Sequence, residues 1–144
     1  QPIAAEEAIE AAILERRAGR DERAHQLFQR ALDAVLQDPR ALHEFAQTKL
    51  RLARASRHRG RRGDGYAGDA SRSLLREAKE MLQRVIQLDA GPQRHAWAWY
   101  DLGRVRRWLR EPAETSREAF AKARELAPLD DRLLDLLDQQ DEVG

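Results

Sequence analysis

The chain has 144 residues, a formal net charge of +1 and no cysteine. This length allows one domain with a buried core, the near-neutral charge excludes polyanion binding by bulk charge alone, and the lack of cysteine excludes disulfides and thiolate metal ligands. Apolar runs all fall short of the ~20 residues that a membrane-spanning helix needs, so we expect no membrane insertion. Abundant alanine, leucine, arginine and glutamate favour helix over strand. We therefore expect a single all-α domain over residues 1–144.

Seven helices are predicted from apolar residues at helical spacing and from the Gly and Pro residues that interrupt them. Their expected ranges are about 3–17, 21–37, 39–57, 70–88, 93–109, 112–127 and 130–141. Asp38-Pro39 indicates the start of the third helix, because Asp caps a helix N-terminus and Pro fits its first turn. Four glycines among residues 59–68 indicate a basic Gly/Arg loop over about 57–69.

Large and small residues recur at fixed positions in successive helix pairs. Ala12 and Ala46 hold a small position in two first helices and lie 34 residues apart. Phe28, Leu82 and Phe120 hold a large position in three second helices. The fullest pattern reads Ala98-Trp99-Tyr100-Asp101-Leu102-Gly103, followed by Ser116, Phe120, Ala123 and Pro128. One helix pair cannot bury both of its faces, so such units stack, and small residues let their backbones approach.

This pattern resembles the tetratricopeptide repeat, a helix–turn–helix unit of about 34 residues. The resemblance covers three repeats, over about 4–38, 39–90 and 92–128, followed by a terminal helix over about 130–141. It implies an α-solenoid of antiparallel helix pairs that acts as a protein-binding scaffold, without catalysis, metal or cofactor. The chain departs from the family pattern at Arg106, where a bulky apolar ring is usual, and at Ala90, where proline is usual.

The first helix of each pair lines a concave groove in this family, and helical phase identifies the inward positions here. In the first repeat these positions are Glu6, Ile9, Ile13, Arg16 and Arg17. The predicted peptide-binding residues of the other two repeats are Arg40, His43, Gln47, Arg51, Trp97, Tyr100, Arg104, Arg107 and Trp108, with Leu50 beside them. Arginine forks suit carboxylates and aromatic rings supply apolar contact. We therefore expect a groove for an acidic peptide, although Trp97 or Trp108 can instead cover a seam between helices.

A second candidate surface is the basic stretch that contains Arg54, Arg57, Arg59, Arg61 and Arg62. Arginine clusters bind polyanions by displacing counterions, but a solvated insertion is the simpler interpretation of this loop. The four histidines lie far apart and form no H-E-x-x-H pair, so no metal site is predicted. The acidic residues of 129–144 can attract the basic loop, another copy of the chain or a partner.

Three functional hypotheses remain open from the sequence. The first is a non-catalytic protein–protein interaction scaffold, which binds a peptide or protein segment and is part of a larger protein or complete in itself. The second is a nucleic-acid-binding accessory domain that uses residues 54–62. The third is a structural spacer or oligomerisation segment, which includes homo-oligomers. We expect a cytoplasmic location, although the chain begins Gln1-Pro2 without an initiator methionine.

Overall fold

A computed structural model describes the backbone of residues 2–59 and 69–143, and the side chains of residues 4–56 and 70–141. Within these ranges the chain forms eight helices and no strand, which confirms the all-α prediction. The helices are α1 (Pro2–Arg17), α2 (Asp21–Arg30), α3 (Leu32–Val35), α4 (Pro39–Arg59), α5 (Asp69–Gln87), α6 (Gly91–Trp108), α7 (Ala113–Leu126) and α8 (Asp131–Val143). None of the helices in the described ranges combines the length and the apolar character needed to cross a bilayer.

The predicted second helix, over 21–37, is not continuous. It divides at Ala31, whose backbone has φ −107° and ψ 23°, so that α2 and the short α3 are separate helices. This break makes the helices eight rather than seven in the described part of the chain. Neither Gly nor Pro marks the position, and the flanking residues favour helix. The break lies within the packed core, since Ala31 and, four residues later, Val35 are both buried.

The helices pack as successive pairs that stack along the chain. α1 packs on α2, α4 on α5 and α6 on α7, while α2 contacts α4, α5 contacts α6 and α7 contacts α8. The first helices of the pairs also contact one another, α1 with α4 and α4 with α6. These three helices form one layer, which we call the first-helix layer. The architecture is an all-α, helical repeat-like fold.

The predicted large and small positions lie in the core. Phe28 and Leu82 are fully buried, and Phe120 is buried between α6 and α8. Gly103 on α6 lies directly against Phe120 on α7, where a Cβ atom would come within 2.4 Å of the ring atom Cε1. The absence of a side chain at Gly103 therefore sets how closely α6 and α7 approach.

Candidate functional site

A polar recess opens where the first-helix layer meets the N-terminal end of α8. Its volume is about 480 Å³. The lining residues come from four helices and the turn before α6, and they are Arg16, His43, Gln47, Ala90, Gln93, Arg94, Trp97 and Arg132. Three of them are arginines and none carries a carboxylate. We call this feature the arginine recess, and its lining carries more formal positive charge than the linings of four other recesses on the described surface.

A buried hydrogen-bond network lies behind the wall of the arginine recess and joins α4 to α6. His43 and Asp101 are both almost fully buried, and Nε2 of His43 lies 2.8 Å from Oδ2 of Asp101. The side-chain amide of Gln47 donates to the same oxygen at 3.1 Å. Arg94 donates from Nη1 to Nδ1 of His43 at 3.1 Å. Because a guanidinium can only donate, Nδ1 accepts and Nε2 carries the proton that is donated to Asp101.

Asp101 is the charged centre of this network. Burial alone would raise the pKa of Asp101, but the hydrogen bond from His43, the charge of Arg104 and the hydrogen bond from Gln47 together hold its pKa below the usual value. Arg104 lies 3.2 Å away, from Nη1 to Oδ1. A buried carboxylate is costly unless it is paired and hydrogen-bonded, and here both oxygens have partners. Asp101 therefore anchors His43, which in turn holds Arg94 at the recess.

The other two arginines approach the recess from opposite sides. Arg16 on α1 forms an ion pair with Glu44 on α4, which fixes its guanidinium against the first-helix layer. Arg132 is exposed on α8 and its guanidinium lies 5.7 Å from the centre of the Trp97 ring. Trp97 donates its indole N–H to Asp130 at 2.9 Å, which orients the ring. The walls of the recess are therefore held by contacts with several helices.

The N-terminus of α6 also borders the recess. Ala90 is its N-cap residue, and no side chain in the described part of the chain caps this end. The starts of α2, α3 and α7 likewise have no side-chain cap, whereas Asp38 accepts the N–H groups of Arg40 and Ala41 at the start of α4 and Asp130 accepts that of Leu133 at the start of α8. A helix N-terminus carries a partial positive charge, so α6 adds to the positive potential of the arginines.

The nine predicted groove residues divide into several environments. His43, Gln47 and Trp97 come together in the arginine recess. A second group lies further along α6, where the guanidinium of Arg104 is 4.6 Å from the centre of the Trp108 ring and 5.3 Å from that of Tyr100. Tyr100 itself is buried and packs against Phe120. Partner binding by these residues stays a prediction.

The remaining predicted positions form contacts with neighbouring helices. Arg40 pairs with Glu10 at 2.7 Å, and both side chains are exposed. Arg51 pairs with Asp21 at 3.2 Å, which ties α4 to the start of α2. Arg107 donates to Oε1 of Gln140 on α8 at 2.8 Å. In the first repeat, the structure places Ile9 and Ile13 in the core and leaves Glu6 and Arg17 exposed, while Leu50 of the second repeat is also buried.

The sequence interpretation missed Arg94, Gln93 and Arg132 as site residues. Arg94 precedes Trp97 by three positions, so both residues lie on the same face of α6. Assigning inward-facing positions one turn further towards the N-terminus of α6 would have identified Arg94. Arg132 lies on the terminal helix, which the sequence interpretation treated only as a cover for the last repeat. Its position beside Trp97 depends on how α8 packs and leaves no local signal in the sequence.

The basic loop cannot be compared with the recess, since Arg57, Arg59, Arg61 and Arg62 lie outside the residues whose side chains are described. Arg54 is described and exposed. Polyanion binding by this stretch stays a prediction. Among the described side chains, no group of three or more His, Asp and Glu residues is arranged to hold a metal ion.

Another recess, of about 520 Å³, lies between α6, α7 and the end of α8. It contains Arg107, Arg117 and Arg124 together with the acidic Glu111 and Asp141. Arg124 pairs with Asp141 at 2.8 Å and with Asp138 at 2.9 Å. Its positive charges are thus partly neutralised by the chain itself, whereas in the arginine recess only Arg16 has a carboxylate partner among the described side chains, which is Glu44.

Comparison with models of known protein families gave no match, and comparison with curated protein sequences gave none either. Inferences about function therefore depend on the chemistry of the residues described above.

Proposed function

We propose that this chain is a non-catalytic interaction module of the tetratricopeptide type, which binds an acidic segment of a partner protein on its first-helix layer. The resemblance of the large and small positions to that family supports the proposal, as does the stacking of helix pairs. The close approach of Gly103 and Phe120 is the kind of interlocking that such repeats use.

The observation that carries the proposal is the composition of the arginine recess. Its lining contains Arg94 and Arg132, which have no ion pair with a described side chain, and Arg16, which is paired with Glu44, while Trp97 supplies an aromatic surface beside them. Arginine and tryptophan are the residue types most enriched at binding hot spots. A guanidinium also presents a planar fork of donors that matches the two oxygens of a carboxylate. A segment with acidic side chains complements this surface in both charge and geometry.

Site-specific photocrosslinking tests where a segment binds. A photoreactive phenylalanine analogue replaces Gln93, which lines the recess and is exposed, and in a matched variant it replaces Gln26, which is exposed on α2. Each variant is mixed with pools of short acidic, neutral or basic peptides. We expect crosslinks from position 93 to the acidic pool alone. Equal labelling from both positions, or no labelling of the acidic pool, would contradict the proposal.

A further inference from the structure

The arginine recess has a narrower chemical specificity than general acidity. Resting on the function proposed above, we propose that it recognises a phosphorylated side chain within the bound segment of the partner protein. Charge, donor geometry, preorganisation and size support this assignment, and each comes from residues of the recess itself.

The charge of the recess exceeds what one carboxylate can balance. A carboxylate carries one negative charge and two oxygens, and a single arginine fork satisfies it. A phosphoryl group carries about −1.5 to −2 at neutral pH and has three acceptor oxygens. The lining offers three guanidiniums, of which that of Arg16 is paired with Glu44, so that Arg94 and Arg132 supply the positive charge that a ligand can balance. The uncapped N-terminus of α6 adds positive potential at the same place.

The position of Arg94 is fixed before any ligand arrives. Asp101 accepts from His43, and His43 accepts from Nη1 of Arg94, which leaves the other guanidinium donors of Arg94 to face the recess. Since Asp101 and His43 are buried, this orientation is maintained by the core between α4 and α6. Binding then requires little ordering of Arg94, which improves affinity. We regard His43 and Asp101 as positioning residues for Arg94.

The surroundings favour a peptide over a nucleic acid as the carrier of the phosphoryl group. At about 480 Å³ the recess has room for a side chain and part of its backbone as well as the phosphoryl group. Single-stranded nucleic acids bind through successive aromatic platforms, whereas Trp97 is the one aromatic residue in the lining. Its ring is already covered in part by Arg132.

Fluorescence polarisation with labelled peptide libraries tests this inference on the full chain. The libraries are degenerate except for a central phosphoserine, glutamate or serine, and a single-stranded RNA of similar length is the fourth probe. We expect the phosphoserine library to bind at least about tenfold more tightly than the glutamate library, because each lost charge-assisted hydrogen bond costs about one factor of ten. Arg94→Ala and Arg132→Ala should each remove most of this preference. Arg23→Ala, which removes an exposed arginine of α2 outside the recess, should leave it unchanged.

The ratio of phosphoserine to glutamate affinity also tests whether His43 and Asp101 position Arg94. His43→Gln and Asp101→Asn should lower the ratio of phosphoserine to glutamate affinity in the same direction as Arg94→Ala. In the background of Arg94→Ala they should have no further effect on that ratio. Circular dichroism identifies the variants that remain folded. If Asp101→Asn does not fold, the affinity ratio of His43→Gln alone tests the positioning role. A ratio that falls additively in the double variants would overturn the positioning role.

The outcomes separate this inference from the proposed function. Equal affinity for the phosphoserine and glutamate libraries, with both lost in Arg94→Ala, would overturn the phosphoryl assignment and leave the acidic-segment proposal intact. No binding of any peptide would overturn both. Preferential binding of RNA that depends on Arg94 would overturn the assignment to a peptide.

Discussion

Nε2 of His43 on α4 donates a hydrogen bond to Oδ2 of Asp101 on α6 at 2.8 Å, and both side chains are almost fully buried. This contact links two helices that are separated along the chain by one helix, α5, and it extends through Arg94 to the surface. It therefore connects the packing of the fold to the geometry of the candidate site.

Removing the carboxylate of this network should be strongly destabilising. Asp101→Ala leaves the donors of His43, Gln47 and Arg104 without their acceptor, and we expect a loss of about 3–5 kcal/mol in the free energy of unfolding. Urea denaturation followed by circular dichroism measures it. The control is Glu10→Ala, which breaks the exposed pair with Arg40 and should cost less than about 1 kcal/mol. A similar small loss in both variants would contradict the role of the network.

The pKa of Asp101 gives this network a pH dependence. The pKa of Asp101 is lower in the folded chain than in the unfolded chain. Asp101 therefore contributes its full stabilisation above the unfolded pKa of about 3.9. This contribution is lost as the pH falls through the lower pKa of the folded chain. Between these two pKa values, the stability of the wild type should fall with decreasing pH more steeply than that of a folded Asp101→Asn variant. If the free energies of unfolding of wild type and variant change in parallel over that range, Asp101 does not cause this pH dependence.

An alanine at position 103 should destabilise the α6–α7 pair. Gly→Ala within a helix usually stabilises by about 0.5–1 kcal/mol, but here the new Cβ would meet the ring of Phe120 at 2.4 Å. We expect Gly103→Ala to cost about 1–3 kcal/mol through overpacking. In the background of Phe120→Leu the same change should cost less, because the ring that obstructs it is absent. Equal costs in the two backgrounds would show that this contact does not limit the approach of the helices.

His25 should make the fold less stable in mildly acidic solution. Burial lowers the pKa of His25, and the ammonium group of Lys49 lowers it further, while Glu77 opposes them. Lys49 donates to Nε2 of His25 at 3.0 Å. The unfolded chain therefore binds a proton more readily, so the free energy of unfolding should decrease as the pH falls below about 6.5 and level off below the folded pKa.

The variant His25→Gln tests this pH dependence, because its amide oxygen can still accept from Lys49 but does not titrate in this range. Urea unfolding at several pH values should show a weaker decrease below about pH 6.5 in the variant than in the wild type. Two profiles that remain parallel down to pH values where a normal histidine is charged would contradict the prediction.

Local signals in the sequence predicted most of the helices and their boundaries. Asp38-Pro39 begins α4 as expected, and Phe28, Leu82 and Gly103 are buried where the large and small positions required. The break at Ala31 was not predictable, because neither Gly nor Pro marks that position in the sequence.

The candidate site was predictable only in part. His43, Gln47 and Trp97 share a helical phase that the sequence reveals, and the recess contains all three. The partners that complete it come from α1 and α8, so their contribution depends on tertiary packing. The burial of His43 could not be inferred either, since it depends on Asp101 lying opposite, 58 positions later in the chain.

The most direct test of the central claim is an NMR titration of the tryptophan indole N–H signals with the acidic peptide pool. Trp97 lines the recess, whereas Trp99 lies outside its lining, packs against the core and is the internal control. We predict a progressive shift of the Trp97 signal that Arg94→Ala abolishes, with little change at Trp99. An unchanged Trp97 signal at saturating peptide, or equal shifts of all three indoles, would contradict binding at the arginine recess.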